Sequence, residues 1–368
     1  VTKTALLLSG RFGKGHDTVA EACAVALVRR GVEAEIVDSI ALLGERRAKT
    51  GEWVFRRLLS MPPVYDAFHF SQLRTGARLG RGADGAALRN MYPRFRDVVD
   101  RIEPELVLSV FATGAAAGSR LKQERPEVVT AVFMTDSFAH RLWVHDHTDL
   151  FLVTSELAAA SVRRFRPDAV VEVIEAPARP AFYDPPTVEA ARAALCIPVE
   201  GPCALVMSGS WGIGPLDGVA RALAASGVYV IVVAGTNERL MRRLRAAAKL
   251  DPRIMAFGYT DRIAELMAAS DVVLTSSGDT CREARVVGRP LVLFDVVPGH
   301  GRENLMHELE LGNAWLAAPE PASVVAIVHA VLERRGTTAE PVDAGAWEHG
   351  LINALERVGV TFEPLDGR

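Results

Sequence analysis

Short, unbroken runs of apolar residues alternate along the chain with longer stretches whose apolar positions recur every three to four residues. The first run, KTALLLS at 3–9, leads into glycine, and 17–30 then carries helical periodicity and ends in Arg-Arg-Gly. A continuous apolar run of this length suits a strand buried on both faces, so the order is strand, glycine turn, helix. Further runs at 34–38, 106–110, 129–134 and 150–153 continue the alternation. The pattern predicts an α/β architecture with a parallel sheet.

Between 176 and 202 the pattern breaks. Prolines at 177, 180, 185, 186, 198 and 202 leave room only for a short helix near 188–195. Alternation resumes with runs at 203–207, 229–233, 253–257, 271–275 and 290–294, each followed by a helical stretch. The expected organisation is a Rossmann-like domain over 1–180, a second over 187–340, and a C-terminal helix and tail over 341–368 that is open to packing back on the first.

Both halves place a glycine loop after their first strand. Ser9 to His16 reads SGRFGKGH, and Ser208 to Pro215 reads SGSWGIGP, 199 positions further on. Glycines there let the backbone approach a ligand, and the free N–H groups of the following helix turn favour an anion. The loops can equally be no more than tight turns. A dinucleotide fingerprint fails, although Asp38 is placed for its acid, because Gly10, Gly13 and Gly15 run in the reverse order. A Walker loop fails because Gly15, not Ser or Thr, follows Lys14. In the second half AGTN (234–237), FGY (257–259) and SSGDTCRE (276–283) also end apolar runs, and Thr280 and Glu283 have capping-box spacing.

Composition narrows the classes. The 368 residues, 49% hydrophobic, can fill two cores. A net charge of −3 and a pI near 6.4 argue against a nucleic-acid binder. Cys23, Cys196, Cys203 and Cys281 are too scattered for a zinc or redox motif, which fits a reducing cytoplasm. No leader peptide is read at the start, and no apolar run approaches the roughly 18 residues of a membrane span. One segment departs from the mean: 45–96 holds eleven Lys or Arg against four acids. Within it Val54, Phe55, Leu58 and Leu59 share one helical face and Arg56 and Arg57 the other, a pattern for an anionic membrane surface or for packing on the domain.

Taken in order, SGRFGKGH, TDSFAHRLWVHDHTDLFLV (135–153), SGSWGIGPL, VVAGTNERL (232–240), FGYTDRIAELMAASDVVLTSSGDTCREA (257–284) and PGHGREN (298–304) resemble the monogalactosyldiacylglycerol synthases, and more distantly the lipid-linked GlcNAc transferase of peptidoglycan synthesis. The resemblance implies a GT-B fold, with two Rossmann-like domains facing each other across a cleft. It implies an inverting glycosyltransferase that needs no metal or other cofactor, with a UDP-sugar held by the second domain and a lipid or lipid-linked acceptor by the first. The chain contains no Asp-x-Asp. A cytoplasmic enzyme peripherally associated with the inner face of a membrane is expected.

Carried over position by position, His16 is the candidate general base and Asp136 its rival or partner, with Gly13, Gly15 and His140 on the acceptor side. Gly209, Ser210 and Gly212 correspond to the loop near the diphosphate, with Gly235 on the same donor side, Gly258 and Tyr259 to the segment beside the uracil, and Glu283 to the ribose-binding carboxylate. Asp279 and Thr280 fall near the phosphates, and His300, Arg302 and Asn304 near the donor sugar. Three departures from the family pattern stand out: His300 replaces a glutamine, Gly301 a glutamate and Asp279 a glycine. They point to an unusual donor, such as a uronic acid paired to Arg302, and to a specialised pathway such as phosphoglycolipid antibiotic synthesis. His140, His145 and His147 with Asp146 and Asp149 offer a metal set on paper, but belong to the acceptor-side loop on this reading. The competing functions are a nucleotide-sugar epimerase or hydrolase of GT-B layout, a transferase for a soluble natural product, and a non-catalytic UDP-sugar sensor.

Overall fold

The computed structural model describes residues 1–10, 15–59, 61–74, 78–209, 212, 214–294, 297–318, 320–334 and 344–363; for the helical residues 52, 55, 56, 58, 59, 62, 72, 78–81, 83 and 84 it describes the backbone alone. The chain divides into two compact units. The first comprises Val1–Pro177, Pro298–His300 and Ala344–Arg368, and the second Ala178–Val297 and Gly301–Asp343.

The first unit is built on six parallel strands: β1 (Thr4–Ser9), β2 (Glu33–Asp38), β3 (Leu106–Ser109), β4 (Val129–Phe133), β5 (Leu150–Val153) and β6 (Val171–Val173), in the order β2-β1-β3-β4-β5-β6. Ala5 to Leu8 have no exposed surface, as expected of a central strand covered by helices on both faces. The chain leaves β1 for β2 on one side and later fills β3 on the other, so the order reverses between β1 and β3. Between β2 and β3 runs the basic segment, as helices Glu45–Leu59, Pro62–Phe68 and Arg78–Ile102. The last of these covers the sheet with Met91, Tyr92, Phe95 and Val99 against Leu6, Leu8 and Val107. Trp53 and Val54 are exposed, while Phe55, Arg56, Leu58 and Leu59 of the predicted amphipathic face have side chains outside the described residues. Helix Ala346–Arg357 packs on helix Gly15–Val28 and near β5, burying Trp347, Leu351, Ile352 and Leu355.

The second unit repeats the plan with β7 (Cys203–Met207), β8 (Tyr229–Val233), β9 (Ile254–Phe257), β10 (Val272–Thr275), β11 (Leu291–Phe294) and β12 (Ala314–Ala317), ordered β12-β11-β10-β7-β8-β9 and reversing between β7 and β10. One strand per sheet escapes the hydrophobic pattern. Both are short edge strands: β6 has three residues interrupted by Glu172, and β12 is the four-residue run Ala-Trp-Leu-Ala.

Arg192 anchors the proline-rich connection. It is 2% exposed, and its guanidinium donates to the carbonyls of Ala269 (2.9 Å), Pro198 (3.3 Å), Val199 and Gly201 (3.0 Å) and to Asp271 Oδ2 (2.8 Å). Asp271 Oδ2 also accepts the Cys203 N–H at 2.8 Å, which ties the connection to the first strand of the unit. Removing one member of a buried ion pair strands the other. Asp271→Ala is therefore expected to destabilise the second unit by about 3–5 kcal/mol, measured as a shift in its denaturant midpoint by circular dichroism. An unchanged midpoint would show that the five-bond clamp stabilises nothing.

Candidate active site

His16 is the second residue of helix Gly15–Val28, directly after the loop that follows β1. Its Nδ1 lies 2.9 Å from the carbonyl oxygen of Val110, the residue after β3. The Val110 peptide is itself fixed, its N–H donating to Leu8 O at 2.9 Å. A carbonyl can only accept, so Nδ1 carries the proton and Nε2 keeps its lone pair. Thr135 Oγ1 lies 3.2 Å from the same Nδ1, and the ring meets Phe111 edge-on at 4.8 Å. Gly10 is explained by that phenylalanine: a Cβ there would fall 2.3 Å from Phe111 Cγ. Gly15 opens the helix, while Gly13 lies outside the described residues.

Asp136, after β4, does not hydrogen-bond to His16. Its Oδ2 accepts from Trp143 Nε1 at 2.7 Å and from His140 Nε2 at 3.4 Å. His140 Nδ1 in turn accepts the Leu142 N–H at 3.3 Å, which places the His140 proton on Nε2, facing the carboxylate. Burial opposes ionisation of Asp136, but the hydrogen bond from His140, the charge of His300 and His140, and the Trp143 bond outweigh it and hold the carboxyl well below the usual carboxylate range. Asp136 is thus a fixed negative charge with little affinity for a proton.

His300 is brought to this cluster. The segment Pro298–His300 counts with the first unit; Gly299 N donates to Asp66 Oδ1 at 2.6 Å, and His300 Nδ1 lies 3.1 Å from Tyr65 Oη. Gly299 has φ +63, and a Cβ there would meet Tyr65 Cε1 at 2.5 Å, so only glycine fits. The His69 ring stands 5.9 Å from that of His140 and 6.3 Å from that of His300. Burial holds His300 below the ordinary imidazole value, with Asp136 opposing and His69, His140 and His16 reinforcing. The loop carrying Asp136 and His140 is pinned by Arg74 Nη1, which donates to Ala139 O at 3.0 Å, and by Arg141 N, which donates to Leu73 O at 2.9 Å. Tyr65, His69 and Trp143 escape sequence reading: the first two sit in a segment that stands out for its charge, and tryptophan in an apolar stretch reads as core.

The other histidines of that loop part company with it. His145 Nε2 faces Leu142 O at 3.0 Å, and His147 and Asp146 are exposed. Asp149 accepts from Thr130 N at 2.8 Å and pairs with Lys122 Nζ at 2.9 Å. Among the described residues no three His, Cys, Asp or Glu are grouped to hold a metal ion.

In the second unit the loops after β7, β8 and β9 converge. Gly209, Gly212 and Gly235 have φ of +56, +55 and +58. A Cβ on Gly212 would fall 2.4 Å from Ala234 O, and Asn237 Nδ2 donates to Gly212 O at 3.2 Å while its Oδ1 caps helix Glu238–Ala248. A Cβ on Gly258 would lie 4.0 Å from Gly235 O, and Tyr259 is exposed. Ser210 lies outside the described residues. Pro215 takes the N-cap position of helix Leu216–Ala225. Across the reversal, Ser208 Oγ meets Ser276 Oγ at 3.1 Å.

Helix Asp279–Val286 has Gly278 as N-cap with no side-chain cap bond, so Thr280 and Glu283 do not form the capping box their spacing allows. Thr280 is buried in the first turn. Asp279 accepts from Arg282 Nη2 at 2.7 Å and stands at the positive end of the helix, which accounts for an acid where an anion would bind. Glu283 is 5% exposed and accepts from Arg179 Nε at 2.9 Å. Gly301 is required by packing, because a Cβ would meet Val297 Cβ at 2.5 Å; its carbonyl accepts from Ser277 Oγ at 2.5 Å. Arg302 is exposed and Asn304 half-buried on helix His300–Glu310.

Comparison with known proteins bears out the family resemblance. Residues 16–174 match the family model described as monogalactosyldiacylglycerol (MGDG) synthase. The chain is 24% identical over 317 residues to the processive diacylglycerol beta-glucosyltransferase of Bacillus subtilis, covering 82% of this chain and 80% of that protein. It is 25% identical over 337 residues to monogalactosyldiacylglycerol synthase 1 of Arabidopsis thaliana, covering 84% of this chain but only 61% of the plant protein's length. Among solved structures it resembles Acinetobacter baumannii MurG (TM-score 0.61, 14% identity, 97% of this chain and 100% of that one). It equally resembles the UDP-GlcNAc 2-epimerase of Methanocaldococcus jannaschii (TM-score 0.61, 14% identity, 96% and 99%). These likenesses bear out the two-domain Rossmann-like fold.

The loop generates a pH prediction of its own. Burial pushes His145 down to about 4, with the Leu142 carbonyl and Asp146 opposing only in part. The unfolded chain protonates near the ordinary histidine value of about 6.5, so the stability carried by the neutral ring is complete above that pH and is lost as pH falls toward 4. Glutamine keeps a donor but cannot titrate. The stability gap between wild type and His145→Gln is expected to narrow by about 1.4 kcal/mol per pH unit across that window in denaturation curves; a constant gap would contradict it.

Proposed function

As the chain is a relative of the monogalactosyldiacylglycerol synthases, we propose that it is a glycosyltransferase moving a sugar from a UDP-sugar to a hydroxyl of a lipid or lipid-linked acceptor. The observation that carries the reading is His16, whose Nδ1 proton is committed to Val110 O, leaving Nε2 as a base. In one displacement the acceptor hydroxyl gives its proton to Nε2, its oxygen bonds to the anomeric carbon, and UDP departs from the opposite face with inversion. Charge developing on the diphosphate is met by the N–H groups of the positive-φ loop at Gly209 and Gly212 and by helix Asp279–Val286, without recourse to a metal. Asp136 is a poor base by its environment, and serves as the fixed anion that aligns His140 and Trp143.

The acceptor side falls to the first unit and the nucleotide to Gly235, Gly258, Tyr259 and Glu283 of the second. The excess of Lys and Arg over 45–96, with Trp53, Val54, Val64 and Phe70 exposed nearby, supports peripheral attachment to an anionic membrane. Among the described residues no helix is long and apolar enough to cross a membrane. His300 and Gly301 in the donor motif support a donor preference, and a pathway such as phosphoglycolipid antibiotic synthesis, apart from that of ordinary glycolipids. The likeness to an epimerase gives a second reading, conversion of the nucleotide sugar without acceptor.

A UDP-release screen of donors against lipid acceptors, with products read by mass spectrometry, is expected to show acceptor-dependent turnover that survives excess chelator. Conversion of the nucleotide sugar with no acceptor would establish the epimerase reading instead. His16→Ala is expected to lower kcat by about 100-fold or more with UDP affinity kept; full activity in that variant would exclude His16 as the base.

A further inference from the structure

Among the charged side chains of the proline-rich connection that the reaction above does not use, Arg179 faces the candidate donor site. Arg179 stands immediately before the turn Pro180–Phe182 and belongs to the second unit. Its guanidinium lies 4.8 Å from the centre of the Phe182 ring, and Phe182 is 1% exposed within the unit's core. Stacking on an immobile ring fixes the plane of the guanidinium, and its Nε then points at Glu283 Oε1, 2.9 Å away. Two other charges face Glu283, Asp279 and Arg282 of its own helix, and they are paired with each other at 2.7 Å. Among the described residues the connection thus supplies the cation bonded to this carboxylate, through its Oε1.

We propose that Arg179 is a positioning residue for the donor nucleotide: it holds the Glu283 carboxylate ionised and oriented to accept the two ribose hydroxyls, without itself touching the nucleotide. This rests on the reading of Glu283 as a ribose ligand. The physical need is plain, since a carboxyl buried to this degree favours its neutral form, and a neutral carboxyl accepts hydroxyl protons poorly. Burial does raise the Glu283 pKa, and Arg179 is the first influence opposing the rise. Without Arg179 the carboxyl would take up a proton more readily as pH falls, and the ribose contact would go with it.

The test is titration calorimetry of the full chain with UDP and with 2′,3′-dideoxyuridine 5′-diphosphate, at about pH 8 and about pH 6, since a carboxyl raised by burial is protonated more at the lower pH. The ratio of the two affinities reports the ribose contact and cancels the phosphate titration that both nucleotides share. Wild type is expected to favour UDP by about tenfold at both pH values, as hydrogen bonds to a charged group would give. Arg179→Met should lose most of that preference at the lower pH and recover part of it at the higher, and Arg179→Lys should restore part at both. Glu283→Gln should lose it at both. If Arg179→Met weakens both nucleotides equally and without pH dependence, or keeps the full ratio, the proposal is wrong. If wild type fails to bind UDP, or Glu283→Gln keeps the full ratio, the ribose reading itself falls and the proposal with it.

Discussion

Parallel pairing is the constraint from which the functional contacts follow. Strands that all run one way deliver all their carboxyl ends to one edge, and where the winding reverses two neighbouring loops part and leave an opening. In the first unit the reversal lies between β1 and β3, and there His16 from one loop reaches Val110 from the other. In the second it lies between β7 and β10, and there Ser208 meets Ser276. Neither contact could form if the sheet were wound in one direction, because the loops would be covered by a crossover helix. The glycines serve the same geometry. Gly10 yields to Phe111 and Gly212 to the carbonyl of Ala234, so both are demanded by neighbouring protein atoms before any ligand is considered.

The two openings carry different electrostatics. Around Asp136 four histidines and a tryptophan surround one carboxylate, and the charge is locked in place. Around Glu283 a single arginine meets a carboxylate that burial pushes toward neutrality. A carboxylate held far below neutrality contributes a field and no proton chemistry. One that burial disfavours can have its charged form supported by one neighbour, which is why the identity of residue 179 matters more than its distance along the chain from the helix it serves.

Much of this was legible in the sequence. Ten of the twelve strands fall on the segments that the alternation marks, and both glycine loops follow the first strand of their unit. The other two, β6 and β12, are short edge strands: β6 is three residues interrupted by Glu172, and β12 is the brief run Ala-Trp-Leu-Ala. The contacts that complete the cluster were not legible, for a different reason. Tyr65 and His69 approach Asp136 and His300 only after the chain has crossed from β2 to β3, and Arg179 hides in a stretch whose prolines advertise a boundary. Composition speaks for a segment as a whole, and so conceals the one side chain in it that reaches elsewhere.

The partner of His16 bears on the kind of base we propose it to be. A carboxylate behind an imidazole both orients it and stabilises the charged form, as in hydrolases that must activate a serine against an amide. The Val110 carbonyl orients the ring and fixes its tautomer but brings only a dipole. That suits a reaction with a leaving group as good as a nucleoside diphosphate, in which the bond to UDP is already breaking as the hydroxyl attacks. The proton then needs to be accepted only late, and a modest base in a fixed tautomer is sufficient. The carboxylate of Asp136 is engaged instead by Trp143 and His140.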